Sequence, residues 1–146
     1  MAKRMKGTEY RDTAEWARAV IGARAAVLRR QLARLERHPG AEVIHDVRVA
    51  ARRLRAALRH FGPCLPARPA ERLNGAVRAV ARLLGAARDA DVVLENMPRG
   101  RLPARSVLPA VRARLARERQ RSVERGAARA RRLRDQLPTL AAALFR

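Results

Sequence analysis

Five cationic side chains recur at helical spacing in the second quarter of the sequence. They are His45, Arg48, Arg52, Arg55 and Arg59. Steps of three and four residues place them on one face of an α-helix, in a row about 20 Å long. Guanidinium groups keep their charge and donate paired hydrogen bonds to phosphate or carboxylate oxygens, and an imidazolium donates from both ring nitrogens. The chemistry available to this row is anion binding, and its length suits a linear polyanion.

The cationic row borders an apolar stripe on the same predicted helix. The stripe consists of Ile44, Val47, Ala51, Leu54, Leu58 and Phe61. Like charges at these spacings repel one another in an isolated helix. We therefore expect acidic groups to face the row, either carboxylates of the protein or a ligand. A solvated face, with arginine stems covering the edge of the core, is the alternative.

Two aspartates late in the third predicted helix are candidate partners for the row. Asp89 and Asp91 lie in "LLGAARDADVVLE". If the second and third helices are antiparallel, these aspartates lie near the start of the second helix. We expect them to orient His45 or Arg48. Surface ion pairs of little energetic value are the alternative.

The composition indicates a polyanionic partner. The formal net charge is +21, from 34 basic and 13 acidic residues, and the only lysines are Lys3 and Lys6. Such a charge repels itself in a compact fold, and nucleic acid, polyphosphate or an anionic membrane surface would relieve the repulsion. Cys64 is the only cysteine, which excludes an intramolecular disulfide. Because no apolar run reaches membrane-spanning length, we expect a soluble cytoplasmic protein.

Glycine and proline divide an Ala-, Leu- and Arg-rich sequence into four helical segments. The segments run from about Thr8 or Asp12 to Arg37, from Glu42 to His60, from the turn containing Pro69 to Leu94, and from Ala104 onward. We expect Pro138 to kink or break the last segment. Short connections predict antiparallel neighbours. The predicted fold is all-α, an antiparallel bundle of about four long helices over residues 8–146, after a flexible basic tail at residues 1–7.

Apolar periodicity also predicts which positions of the outer helices face the core. For the first helix these positions are Thr13, Trp16, Val20, Ala23, Val27, Leu28, Leu32 and Leu35. For the fourth helix they are Val107, Leu108, Val111 and Leu115, with a weaker continuation to Leu133.

The segments "HDVRVAARRLRAALRHFGPCL" and "LLGAARDADVVLE" together resemble the CHAD family, α-helical domains that carry histidines and bind inorganic polyphosphate. The resemblance is closest over residues 42–95. His45 matches the signature histidine. Arg48, Arg52, Arg53 and Arg55 match the arginine run, and Arg88, Asp89 and Asp91 match an Arg-Asp-x-Asp element. Outside these motifs, Arg59, Arg78 and Arg82 are further basic candidates, and helical spacing places Arg53 off the cationic row.

The resemblance implies a helical bundle with a basic channel that binds polyphosphate without catalysis, cofactor or metal, a property suited to targeting polyphosphate granules. Members of the family are typically longer, with two similar bundles around the channel. This sequence resembles one half of such a domain. A second copy would complete the channel as a two-fold homodimer; otherwise the basic face is open.

Three other functions fit parts of the sequence. One is a purely structural helical bundle whose arginines contact an acidic protein. Nonspecific nucleic-acid binding follows from charge alone, although Tyr10, Trp16, Phe61 and Phe145 are the only aromatic residues apart from histidine and offer few stacking platforms. A histidine phosphotransfer bundle needs only one exposed helical histidine such as His45. The sequence contains no glycine-rich nucleotide loop and no paired-glutamate metal motif, so we expect no enzymatic activity.

Overall fold

The computed structural model describes residues 7–98 and 106–146, and side chains within those ranges from residue 13 onward. Four long helices account for most of the chain: α1 (Gly7–Arg37), α2 (Ala41–His60), α3 (Ala67–Asn96) and α4 (Leu108–Ala142). Short 3₁₀ turns follow α2 at Gly62–Cys64 and α4 at Ala143–Phe145. The described ranges contain no strand, and the predicted all-α bundle is confirmed. The predicted tail lies outside the described residues except for Gly7.

The helices form a closed ring of neighbours. Each helix packs on the next along the chain, and α4 packs back on α1. The connection between α1 and α2 is three residues long and contains Pro39 and Gly40, and Gly62 and Pro63 follow α2 directly. Connections this short make consecutive helices antiparallel. The end of α3 is therefore brought beside the start of α2, as the sequence predicts.

The apolar stripe predicted on α2 is buried. Helical spacing also predicts a stripe on α3 from Leu73 to Leu94, which is buried except at Leu94, where the side chain is half-buried. On α2 the stripe from Ile44 to Phe61 lies in the core. On α3 the buried apolar positions are Leu73, Val77, Val80, Leu84, Ala87 and Ala90. Because both stripes are continuous, the row of side chains next to each stripe is held at a defined edge between α2 and α3.

The predicted core face of α1 is wrong at two positions of its first half, whereas Val20 packs against the core as predicted. Trp16 is 60% exposed and Ala23 is exposed, whereas Ala17, Ile21 and Ala25 are buried. Alanine and apolar residues occupy both registers of this segment, so periodicity alone does not distinguish the two faces. Trp16 instead packs edge-to-face on Phe61, with ring centroids 5.3 Å apart, and so covers the margin of the core.

Two predictions about α4 are corrected by the structure. The helix does not break at Pro138 but continues through it, with Leu137 and Leu144 buried on either side. The apolar positions predicted for its first turns lie outside the core: Val107 and Val111 are 71% and 39% accessible, and Leu108 and Leu115 are half-buried. Burial begins at Val123 and continues through Leu137. The predicted start at Ala104 lies outside the described residues.

Candidate anion-binding groove

A groove of about 540 Å³ runs between α2 and α3. Its lining residues are His45, Arg48, Val49, Arg52, Arg55, Arg78, Ala81 and Arg82. We call this surface the arginine groove. Five of its eight lining residues are arginines, which come from both helices. The helical bundle thus converts two separate rows of the sequence into one concave cationic surface.

Each wall of the arginine groove repeats at helical spacing. Arg48, Arg52 and Arg55 come from α2, and Arg78 and Arg82 come from α3. In the parts of the chain that the structure describes, no carboxylate lies within salt-bridge distance of Arg52, Arg78 or Arg82. The positive charge of the groove is therefore mostly unneutralised, and the geometry suits an anionic ligand.

One acidic residue reaches the groove, as the sequence predicts. The Oδ1 atom of Asp89 lies 3.8 Å from Nη1 of Arg48. The Asp89 side chain is 80% exposed, so water screens this pair strongly. A Cβ at Gly85 would lie 3.9 Å from Cζ of Arg48, so the guanidinium lies close to the α3 backbone.

Asn74 makes a groove contact that the sequence analysis missed. Its Oδ1 accepts a hydrogen bond from Nε of Arg55 at 3.0 Å, in a half-buried position. A neutral acceptor orients the guanidinium without cancelling its charge. The signal was present: residues 74, 78, 82, 85 and 89 repeat at steps of three and four, and this repeat is the face of α3 that lies towards α2.

Of the other three predicted residues of α2, one lines the groove and two do not. His45 lines one end of the groove and is exposed. Arg59 is exposed but does not line the groove, because it lies one turn beyond Arg55. Arg53 is exposed and also absent from the lining, in agreement with its predicted position off the cationic row.

Two predicted residues at the end of α3 face elsewhere. Arg88 pairs with Glu95 on its own helix, at 3.2 Å between Nη1 and Oε1, and does not line the groove. Asp91 is buried and binds Nε of Arg119 on α4. The expectation that Asp91 orients His45 or Arg48 is wrong, because two residues rotate a helix by about 200°, away from the direction of Asp89.

Most other paired carboxylates lie at helix contacts away from the groove. Arg134 of α4 binds Glu36 of α1 and Asp135, and Arg34 of α1 binds Asp46 of α2 at 3.0 Å. The hydrogen bond to Asp135, and attraction to both carboxylates, raises the pKa of the Arg134 guanidinium. The Arg134–Glu36 and Arg34–Asp46 pairs join α1 to its neighbours, and none of these carboxylates lines the groove.

Other kinds of site receive no support from the described residues. No group of three or more histidine, cysteine, aspartate or glutamate side chains in residues 13–98 and 106–146 could hold a metal ion. Cys64 is an exposed free thiol. No helix within the described ranges has the length and apolarity needed to cross a lipid bilayer.

Comparison with known proteins identifies the family. Neither the curated proteins nor the solved structures gave a match to this chain. The family model for the CHAD domain matches residues 8–145, which is nearly the whole chain and includes all four helices. The chain belongs to the CHAD domain family.

Proposed function

We propose that this protein binds inorganic polyphosphate in the arginine groove and does not transform it. The observation that carries the proposal is the convergence of five arginines on one groove, four of them without a carboxylate partner among the described side chains. Membership in the CHAD family supports the same ligand, because the resemblance implies polyphosphate binding.

The groove matches the chemistry of a phosphate chain. Its wall from His45 to Arg55 spans ten residues, or about 15 Å. A chain lying along it meets guanidinium groups from both helices, and each guanidinium can donate two hydrogen bonds to phosphate oxygens. Val49 and Ala81 add an apolar surface between the charged rows. His45 donates a hydrogen bond at one end, and Asp89 holds Arg48 beside α3.

Polyphosphate fits the groove better than nucleic acid does. No phenylalanine, tyrosine or tryptophan lines the groove, so His45 and the guanidinium planes are the surfaces there on which a base could stack. Trp16 is exposed, but it lies on α1 against Phe61. Nucleic acid would bind mainly through its phosphates, and its affinity, like that of polyphosphate, would fall with added salt. At near-physiological salt, long-chain polyphosphate should displace DNA at equal phosphate concentration.

The direct test removes one positive charge from each wall of the groove. In the double variant Arg52→Gln/Arg78→Gln, we expect polyphosphate affinity to fall by at least tenfold, because each charge-assisted contact contributes about 1 kcal/mol or more. The matched control is Arg24→Gln/Arg30→Gln, which removes the same charge from exposed positions of α1. Equal losses in both variants, or no loss in either, would refute the groove as the site.

A second copy of the chain is proposed to complete the channel. The groove is bounded by α2 and α3, and its outer side would be covered if two grooves faced each other across a two-fold axis. Light scattering during a polyphosphate titration measures this assembly: a doubling of mass supports it, and a constant monomer mass refutes it. Binding of this kind would serve to localise the protein at polyphosphate granules.

A further inference from the structure

A second row of arginines lies on α4. Arg125, Arg129 and Arg132 have the same i, i+4, i+7 spacing as Arg48, Arg52 and Arg55 on α2. All three α4 residues are exposed, and none has a hydrogen-bond or ion-pair partner among the described side chains. We call them the α4 row.

The α4 row lies on the side of α4 that borders α3. Arg121 and Arg125 line a groove between α3 and α4, and further along the same helix Gln136 lines another. Residues 121, 125, 129, 132 and 136 repeat at steps of three and four, so Arg129 and Arg132 lie between these two grooves on the same face.

The register of α3 and α4 brings the α4 row level with the arginine groove. Gly126 lies directly against Leu84, since a Cβ there would be 2.6 Å from Cδ2 of that leucine. Because Asp91 of α3 pairs with Arg119 of α4, residue numbers rise on one helix as they fall on the other, and the two helices are antiparallel. The turns of the α4 row therefore lie opposite Arg78 and Arg82 of α3. Neighbouring helix axes are about 8–10 Å apart. Arg78 and Arg82 therefore lie between the arginines of α2 and those of α4.

Acidic residues border this surface but do not interrupt it. Asp89 and Glu118 line the α3–α4 groove at one end. At the other end, Asp135 pairs with Arg134. No aspartate or glutamate occurs in residues 72–88 of α3 or residues 125–134 of α4. Every ionised side chain in these two segments is therefore positively charged.

We propose that the α4 row is a second track for phosphate, and that a polyphosphate chain longer than the arginine groove passes over Arg78 and Arg82 to reach it. This inference rests on the proposed function. Three like charges at helical spacing destabilise an uncovered helix, and an anionic chain relieves the repulsion. A chain already held in the groove meets the α4 row at high effective concentration, so the row adds affinity for long chains only.

The test compares chain lengths. Wild type, Arg125→Gln/Arg129→Gln and the control Arg24→Gln/Arg30→Gln are titrated with a short polyphosphate whose extended length matches the groove, and with long-chain polyphosphate. Relative to the control, we expect the α4 variant to lose several-fold affinity for the long chain and none for the short one. The dependence of log K on log salt concentration should fall by roughly one unit for each arginine removed, for the long chain only.

Three other results each have a defined meaning. Equal loss for both lengths would overturn the α4 row as a separate track, since it would show a general effect of charge. A long-chain affinity of the α4 variant that matches the control would overturn it as well. Binding of the short chain in that case would still support the arginine groove as a site. Failure of wild type to bind either length would instead reject the proposed function, and the α4 inference with it.

Discussion

Asp91 is a buried carboxylate whose partner comes from another helix. One oxygen binds Arg119, and the other, Oδ2, is buried without a hydrogen bond from any described residue. We expect Asp91→Ala to lower the free energy of unfolding by about 3 kcal/mol, because it leaves the partly buried Arg119 charge without its partner. Chemical denaturation measures the change.

A double variant distinguishes the cost of an unpaired buried charge from the cost of lost side-chain packing. Asp91→Leu/Arg119→Met removes both charges while retaining side-chain volume, and we expect it to recover most of the lost stability. A double variant no more stable than Asp91→Ala would contradict the interpretation. Polyphosphate affinity should stay unchanged in a variant that folds, since neither residue lines the arginine groove.

At the scale of the elements, α3 and α4 are in close contact at Gly126. A Cβ at this position would lie 2.6 Å from Cδ2 of Leu84, which is fully buried. In Gly126→Ala, overpacking of about 1–3 kcal/mol outweighs the gain in helix propensity of about 1 kcal/mol. We therefore expect a net loss of about 1 kcal/mol in the free energy of unfolding.

Gly75 provides the matched control for this substitution. It lies in the interior of α3, and the methyl group of an alanine there would have no described atom of another residue within 4 Å, apart from its own helical turn. Gly75→Ala should therefore stabilise the protein by about 0.5–1 kcal/mol through helix propensity alone. Opposite signs for the two alanine substitutions would establish the close contact of α3 with α4. Stabilisation by both would mean that Leu84 moves aside at little cost.

The sequence predicts α2 and α3 well because each has one continuous apolar register between proline- and glycine-containing turns. The same reasoning predicts that Asp89 lies near Arg48, since antiparallel packing follows from short connections. Periodicity misassigns part of the core face of α1 because alanines supply a second register. The helical repeat of α3 places Asn74 on the face towards α2, but it does not say which residue Asn74 contacts. That partner, and the Asp91–Arg119 pair, depend on the axial register of two helices, which helical periodicity does not determine.

At the scale of the whole molecule, self-repulsion should limit stability. The net charge of +21 disfavours the compact state at low ionic strength. We expect the melting temperature of the free protein to rise as sodium chloride is added, because salt screens repulsion over a Debye length of about 10 Å at 0.1 M. Polyphosphate at low salt should raise it further by binding the folded state. A melting temperature that falls with salt in the free protein would show that its attractive ion pairs dominate.

The central claim is that polyphosphate occupies one groove and not the basic surface at large. Side-chain NMR of isotope-labelled arginine, followed through the Nε–Hε resonances during titration with short-chain polyphosphate, tests it residue by residue. We predict large shifts for Arg48, Arg52, Arg55, Arg78 and Arg82, and little change for Arg24 and Arg30. Shifts of similar size at all exposed arginines would contradict the account.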